Sequence, residues 1–208
     1  MHGLYAITPA GLRGSKLLGD VEQALKGGCR ILQYRNKSDD PLQRLEEARA
    51  LRRLCTTHEA LFIVNDDPEL AEQVAADGVH LGREDASIGE ARARLGEQAI
   101  IGLSCYADWQ RALHARRLGA DYVAFGAFYP SPTKPGAVRA GIELLRHARR
   151  DLDLPTVAIG GITTENAQPL IEAGADMVAV IQGLFGQADI RATARRFATL
   201  FEESGGSS

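Results

Sequence analysis

Alternate positions of Gln33-Tyr34-Arg35-Asn36-Lys37 carry an amide and two cations. Side chains on an extended backbone repeat every second residue, so Ile31, Gln33 and Arg35 share a face, joined by Lys37 if the extension persists. Such a face suits a polyanion. The run Leu61-Phe62-Ile63-Val64 ends abruptly in Asn65-Asp66-Asp67 before Pro68, and Val79-His80-Leu81 leads through Gly82 to Asp85. Asp67, next to a proline at a first helical position, reads as a helix cap. Strand packing accounts for neither Asn65 nor Asp66. Carboxylates at Asp66 and Asp85, facing Arg35 and Lys37, make a site for a hard divalent cation, Mg2+ first among them, shared with a phosphate-bearing ligand. Plainer readings compete. Charges at a strand end also occur as solvated clusters opening a loop, Asp85 also fits a helix cap, and His80 within an apolar run reads as a core histidine with its hydrogen bonds satisfied.

Further polar residues fall at similar places. Ser104 follows Ile100-Ile101-Gly102-Leu103, a small hydroxyl suited to a polar ligand group. The proline-rich stretch 126–138 gathers Ser131, Thr133 and Lys134; loops longer than ~12 residues in compact domains are usually functional or disordered, and the prolines favour a semi-rigid lid. Gly160-Gly161 lets backbone N–H groups approach an anion at a helix start, and Gln182 is placed to complete that cradle. A plain tight turn is the alternative for the glycine pair.

These residues need a scaffold that brings strand ends together. Short apolar runs at 4–7, 31–34, 61–64, 79–81, 100–103, 122–125, 156–159 and 177–181 alternate with helix-like segments near 15–26, 41–57, 68–76, 88–95, 108–118, 142–150, 164–173 and 189–201. Gly27-Gly28, Asp77-Gly78, Gly119-Ala120-Asp121 and Gly174-Ala175-Asp176 punctuate the chain as helix ends turning into strands. Eight strand–helix pairs predict α/β architecture, a single-domain (β/α)8 TIM barrel over residues 1–203 with its site at the C-terminal ends of the strands, and a flexible polar tail at 204–208. An open doubly wound sheet would carry a glycine-rich phosphate turn after its first strand; Thr8-Pro9-Ala10-Gly11 stands there instead.

Net charge −3 and a pI near 6.0 offer no bulk attraction to nucleic acid or anionic lipid. No apolar stretch approaches the ~20 residues of a membrane helix. Cys29, Cys55 and Cys105 have neither zinc-ligand nor redox spacing and read as reduced thiols of a cytoplasmic protein. Small-molecule substrates are the expected partners, with no nucleic acid and no membrane; a homo-oligomer is compatible with the sequence.

Taken in order, these strand-end motifs resemble those of the thiamin phosphate synthase (thiamine-phosphate pyrophosphorylase) family. The family's Gln-x-Arg-x-Lys appears as Gln33 to Lys37, its Asn-Asp as Asn65-Asp66, its His-Leu-Gly-x-x-Asp as His80 to Asp85, and its Gly-x-Ser as Gly102 to Ser104. Its Pro-Thr-x-Thr-Lys appears as Pro130 to Lys134 and its Gly-Gly-Ile as Gly160 to Ile162. The resemblance spans nearly the whole chain. It implies a transferase joining 4-amino-2-methyl-5-hydroxymethylpyrimidine diphosphate to a (carboxy)thiazole phosphate, with release of pyrophosphate. Asp66 and Asp85 would hold magnesium against the diphosphate, and Arg35, Lys37 and Lys134 would neutralise the rest. Gln33, Asn65 and Ser104 would orient the pyrimidine substrate; Ser131, Thr133, Gly161, Ile181 and Gln182 would receive the thiazole phosphate. The chain departs from the family pattern at Ser131, where threonine is common, and at Gln182, where serine is common. Two other readings remain open at this point: a barrel like the related thiazole tautomerase, and a non-catalytic protein that binds thiamin precursors.

Overall fold

The computed structural model describes residues 1–83, 87–130 and 138–205. The strands are β1 (Gly3–Ile7), β2 (Ile31–Tyr34), β3 (Leu61–Asn65), β4 (Gly78–Leu81), β5 (Ile100–Tyr106), β6 (Tyr122–Gly126), β7 (Thr156–Ile159) and β8 (Met177–Val180). The helices are α1 (Gly14–Lys26), α2 (Pro41–Thr57), α3 (Pro68–Gln73), α4 (Ile88–Leu95), α5 (Trp109–Arg117), α6 (Glu143–Asp151), α7 (Gln168–Glu172), α8 (Gln182–Phe185) and α9 (Ile190–Gly205). Each strand pairs in parallel with the next, and β1 pairs with β8, so the sheet closes as the expected barrel.

Period-two alternation sorts the strand residues into two cores. Leu4, Ala6 and Leu32 face the helices, whereas Tyr5, Ile7, Ile31, Ile63, Tyr122, Val157 and Met177 fill the barrel interior. Helix starts follow from capping chemistry. Asp40, Asp67 and Asp108 accept N–H bonds from Gln43, Leu70 and Arg111 at α2, α3 and α5. Ser87 and Glu90 form a reciprocal capping box at α4, so the capping role weighed for Asp85 falls to Ser87.

The aspartates that punctuate the chain tie the lower rim. Asp77, Asp121 and Asp176 each precede an even-numbered strand and accept the N–H of Phe62, Ile101 and Thr156, respectively, at 2.7 Å from the odd-numbered strand before it. Arg52 and Arg92 pair with the first two of these carboxylates. Tying the barrel's N-terminal face in this way serves stability, not chemistry.

Three local expectations change. The run after β8 breaks at Ile181 into α8, because backbone bonds from Leu184 and Phe185 to the Ile181 carbonyl turn the chain. Residues 163–166 form a side-chain-closed turn, with Thr163 N donating to Asn166 Oδ1 at 2.8 Å, so α7 begins only at Gln168. The last helix continues to Gly205, so Ser204 and Gly205, assigned above to a polar tail, belong to α9, where Ser204 Oγ donates to the Leu200 carbonyl at 2.8 Å.

Candidate active site

Among the described residues, Gln33, Arg35, Lys37, Asn65, Asp66 and Ser104 lie at or just beyond the C-terminal ends of β2, β3 and β5. Gln33 is 2% exposed and, two residues after the inward-facing Ile31, faces the interior. Arg35 lies just beyond β2, its backbone held on both sides by Thr8: Arg35 N donates to Thr8 Oγ1 at 2.8 Å, and Thr8 Oγ1 donates to the Arg35 carbonyl at 3.2 Å. The Arg35 guanidinium makes no ion pair among the described residues and remains available for an anion. Lys37 Nζ stands 3.5 Å from Asp66 Oδ2, bringing together a cation and a carboxylate expected at one site.

A buried carboxylate that sequence reasoning missed organises this loop. Glu47 of α2, 7% exposed, accepts from Gly14 N at 3.1 Å, Tyr34 Oη at 2.8 Å and Asn36 Nδ2 at 3.1 Å. It joins the start of α1 to the segment that carries Arg35 and Lys37.

At the end of β3 the three polar residues separate by role. The Asn65 side chain has no hydrogen-bond partner among the described residues. Asp66 adopts φ 62°, a left-handed conformation unusual for a non-glycine residue, and its N–H donates to the His80 carbonyl at 2.8 Å. Asp67 caps α3 and pairs with Arg44. The capping expected of Asp67 is therefore present, and Asp66 is left as the carboxylate at the mouth.

Ser104 is positioned from behind and below. Arg111 of α5 donates from Nε to the Ser104 carbonyl at 2.7 Å and from its terminal nitrogen to the Gly82 carbonyl at 2.9 Å, tying the ends of β5 and β4 together. His80 is a buried histidine with satisfied nitrogens, as expected, yet its partners reach the site: Nδ1 lies 2.9 Å from Tyr122 Oη and Nε2 lies 2.9 Å from Ser104 Oγ. Tyr122 Oη in turn is 2.7 Å from Tyr5 Oη, which accepts from Gln33 Nε2 at 2.8 Å. Burial pushes both phenols well above their ordinary pKa. Tyr5 and Tyr122 were not singled out from the sequence; tyrosines at inward alternation positions must find partners for their hydroxyls, and that requirement was the available signal.

On the far side of the mouth, the first arm of the β6 loop packs on the turn after β7. Phe128 N and Tyr129 N donate to the carbonyls of Ile159 and Gly160 at 3.1 and 2.9 Å. A side chain at Gly161, where φ is 64°, would put its Cβ 2.3 Å from the Pro130 carbonyl oxygen. The glycine pair is thus required by close chain approach as well as by conformation. Ile181 packs on the barrel interior, whereas Gln182 is exposed at the first turn of α8. Asp85, Ser131, Thr133 and Lys134 lie outside the described residues.

The donor chemistry suits a hard cation at Asp66, whose carboxylate side chain is 28% exposed beside Lys37. Among the described residues no cluster of three or more His, Cys, Asp or Glu side chains forms, so Asp66 supplies the only expected metal ligand within them. Cys29, Cys55 and Cys105 are buried and unpaired. Burial raises their thiol pKa values, to about 11 for Cys29 and about 12 for Cys105, which suits packing and not nucleophilic attack. No described helix is long and apolar enough to cross a membrane.

Comparison with known proteins bears on this geometry. Residues 4–184 match the family described as thiamine monophosphate synthase. The chain is 55% identical over 201 residues to a thiamine-phosphate synthase of Azoarcus sp. strain BH72, covering 97% of this chain and 98% of that one. It is 55% identical over 203 residues to a thiamine-phosphate synthase of Thioalkalivibrio sulfidiphilus, covering 97% and 96%. Among solved structures, a thiamine phosphate pyrophosphorylase from Pyrococcus furiosus superposes with a TM-score of 0.88 at 36% identity, covering 97% of this chain and 96% of that one.

Proposed function

The chain belongs to the thiamine monophosphate synthase family, and from that premise we propose how it works as a transferase that makes thiamine phosphate. It joins the pyrimidinylmethyl group of 4-amino-2-methyl-5-hydroxymethylpyrimidine diphosphate to the ring nitrogen of a (carboxy)thiazole phosphate and releases pyrophosphate, with the carboxyl group, where the thiazole carries one, leaving as carbon dioxide. The observation that carries this reading is the near-full-length identity to thiamine-phosphate synthases. The meeting of Gln33, Arg35, Lys37, Asn65, Asp66 and Ser104 at one barrel mouth supports it.

The aminopyrimidine delocalises positive charge at its methylene carbon, so the carbon–oxygen bond breaks dissociatively when the departing pyrophosphate is stabilised. Arg35 and Lys37, with Lys134 from the β6 loop, neutralise that leaving group. Gln33, Asn65 and Ser104 orient the pyrimidine, and the amide of Asn65, unengaged among the described residues, suits a ligand contact. Ser131, Thr133, Gly161 and Gln182 receive the thiazole phosphate, with Ile181 as an apolar wall, so that the thiazole nitrogen stands in line with the methylene carbon. Asp66 and Asp85 would hold magnesium, which when bound supplies further charge neutralisation at the diphosphate. No protein nucleophile is needed, in keeping with thiols whose pKa values burial has raised. Phosphorylated substrates and three unpaired cysteines favour a cytoplasmic setting for this chemistry.

The test is turnover by the purified chain with both substrates and magnesium. Pyrophosphate release that needs both substrates is the expected result; saturable binding without release would refute the reading.

A further inference from the structure

The barrel interior holds a polar chain that packing alone does not require. Five side chains run across it in sequence: Gln33, Tyr5, Tyr122, His80 and Ser104, with successive contacts of 2.8, 2.7, 2.9 and 2.9 Å. Gln33, Tyr5, Tyr122 and His80 are between 0% and 8% exposed. The fold reserves space for the central ring: a Cβ on Gly102 would lie 1.9 Å from Tyr122 Cζ, so the phenol lies directly over that glycine. The His80 and Tyr122 rings stack with an interplanar angle of 24°. Burying polar groups costs stability unless each finds a partner, and apolar side chains of similar volume would fill the same space without that demand.

We propose that Gln33, Tyr5, Tyr122 and His80 form a one-way hydrogen-bond chain that fixes Ser104 as a hydrogen-bond donor to the pyrimidine diphosphate. This rests on the functional reading above. The direction follows from counting hydrogens. The Gln33 amide nitrogen only donates, so the Tyr5 oxygen accepts from it. Tyr5 stays protonated because burial raises its pKa, and its single hydrogen goes to the Tyr122 oxygen. Tyr122, protonated for the same reason, then gives its own hydrogen to His80 Nδ1. A neutral imidazole that accepts at Nδ1 carries its hydrogen on Nε2, which donates to Ser104 Oγ. The Ser104 hydroxyl, its acceptor side occupied, turns its own hydrogen towards the mouth. There it meets an acceptor atom of the substrate that Gln33, at the other end of the chain, also contacts. Tyr5, Tyr122 and His80 are positioning residues: they act through Ser104 and Gln33.

Two measurements on the full chain test this. Long-range proton–nitrogen correlation of the His80 ring, assigned by its disappearance in His80→Asn, is expected to show the hydrogen on Nε2 and a bare Nδ1; a proton on Nδ1 overturns the proposal. This arm needs no turnover, so it decides the direction of the chain even if the functional reading fails for want of pyrophosphate release. The second is a double-mutant cycle on kcat/KM for the pyrimidine diphosphate. Loss of one oriented hydrogen bond predicts that Tyr122→Phe lowers kcat/KM about tenfold when Ser104 is present and by less than about twofold in the Ser104→Ala background. Equal losses in both backgrounds would mean that Tyr122 contributes packing only, and overturn the proposal. Tyr5→Phe repeats the cycle one link further away, with the same two outcomes, should Tyr122→Phe fail to fold.

Discussion

Replacing Glu47 by alanine removes a carboxylate that joins α1, α2 and the loop after β2. Its Oε1 accepts from Gly14 N, and its Oε2 accepts from Tyr34 Oη and Asn36 Nδ2. Tyr34 is 2% exposed, so its hydroxyl would lose its charged acceptor where water does not reach. A hydrogen bond to a charged group contributes ~1.5–3 kcal/mol, and the three bonds share one carboxylate and do not add, so the expected loss is about 3 kcal/mol. In a chain of this length that corresponds to a Tm lower by roughly 6–12 °C. Function should suffer selectively. Asn36 lies between Arg35 and Lys37, so freeing it loosens the two cations that the proposed mechanism assigns to the diphosphate. KM for the pyrimidine diphosphate is expected to rise about tenfold, the equivalent of ~1.4 kcal/mol of lost positioning, while KM for the thiazole phosphate stays within about twofold of the parent. Thermal denaturation and steady-state kinetics read both effects. A Tm within about 2 °C of the parent, below what the loss of a single such hydrogen bond should produce, would refute the assigned role of Glu47, as would a rise in both KM values alike.

Two further outcomes follow from other parts of the fold. Asp176→Ala strips the acceptor from the buried Thr156 N–H on the face opposite the site; about 2 kcal/mol of stability should be lost in chemical denaturation, with kcat unchanged. Asp66→Ala should abolish magnesium-dependent turnover while circular dichroism shows an intact barrel, and undiminished activity in that variant would contradict the metal assignment.

Much of the scaffold was legible because each strand is a short, nearly continuous apolar run, as strands buried on both faces must be. Period two correctly placed Ile31 and Gln33 on the inner face of β2. The Lys37–Asp66 contact was legible for the same reason, once strand ends were aligned. Helix α8 was not, because the four residues Gln182–Phe185 are too few to show a helical period, and the turn at Ile181 that starts it is made by backbone bonds. The supports of the site were hidden for a different reason. Thr8 and Glu47 act on partners far away in sequence, 27 residues from Arg35 and 33 from Gly14, and periodicity carries no information about such pairs. His80 was recognisable as buried, but its link from Tyr122 to Ser104 depends on three strands meeting inside a closed barrel. The aspartates before β4, β6 and β8 were visible as turn punctuation, whereas their bonds to the preceding strand's N–H groups depend on register.

The most direct test of the account is to incubate the purified chain with both substrates and magnesium and to quantify the products by mass spectrometry. The account predicts thiamine phosphate and pyrophosphate in equal amounts, with neither formed when one substrate is omitted. Pyrophosphate released from the pyrimidine diphosphate alone at the same rate, or no thiamine phosphate from the complete mixture, would contradict it.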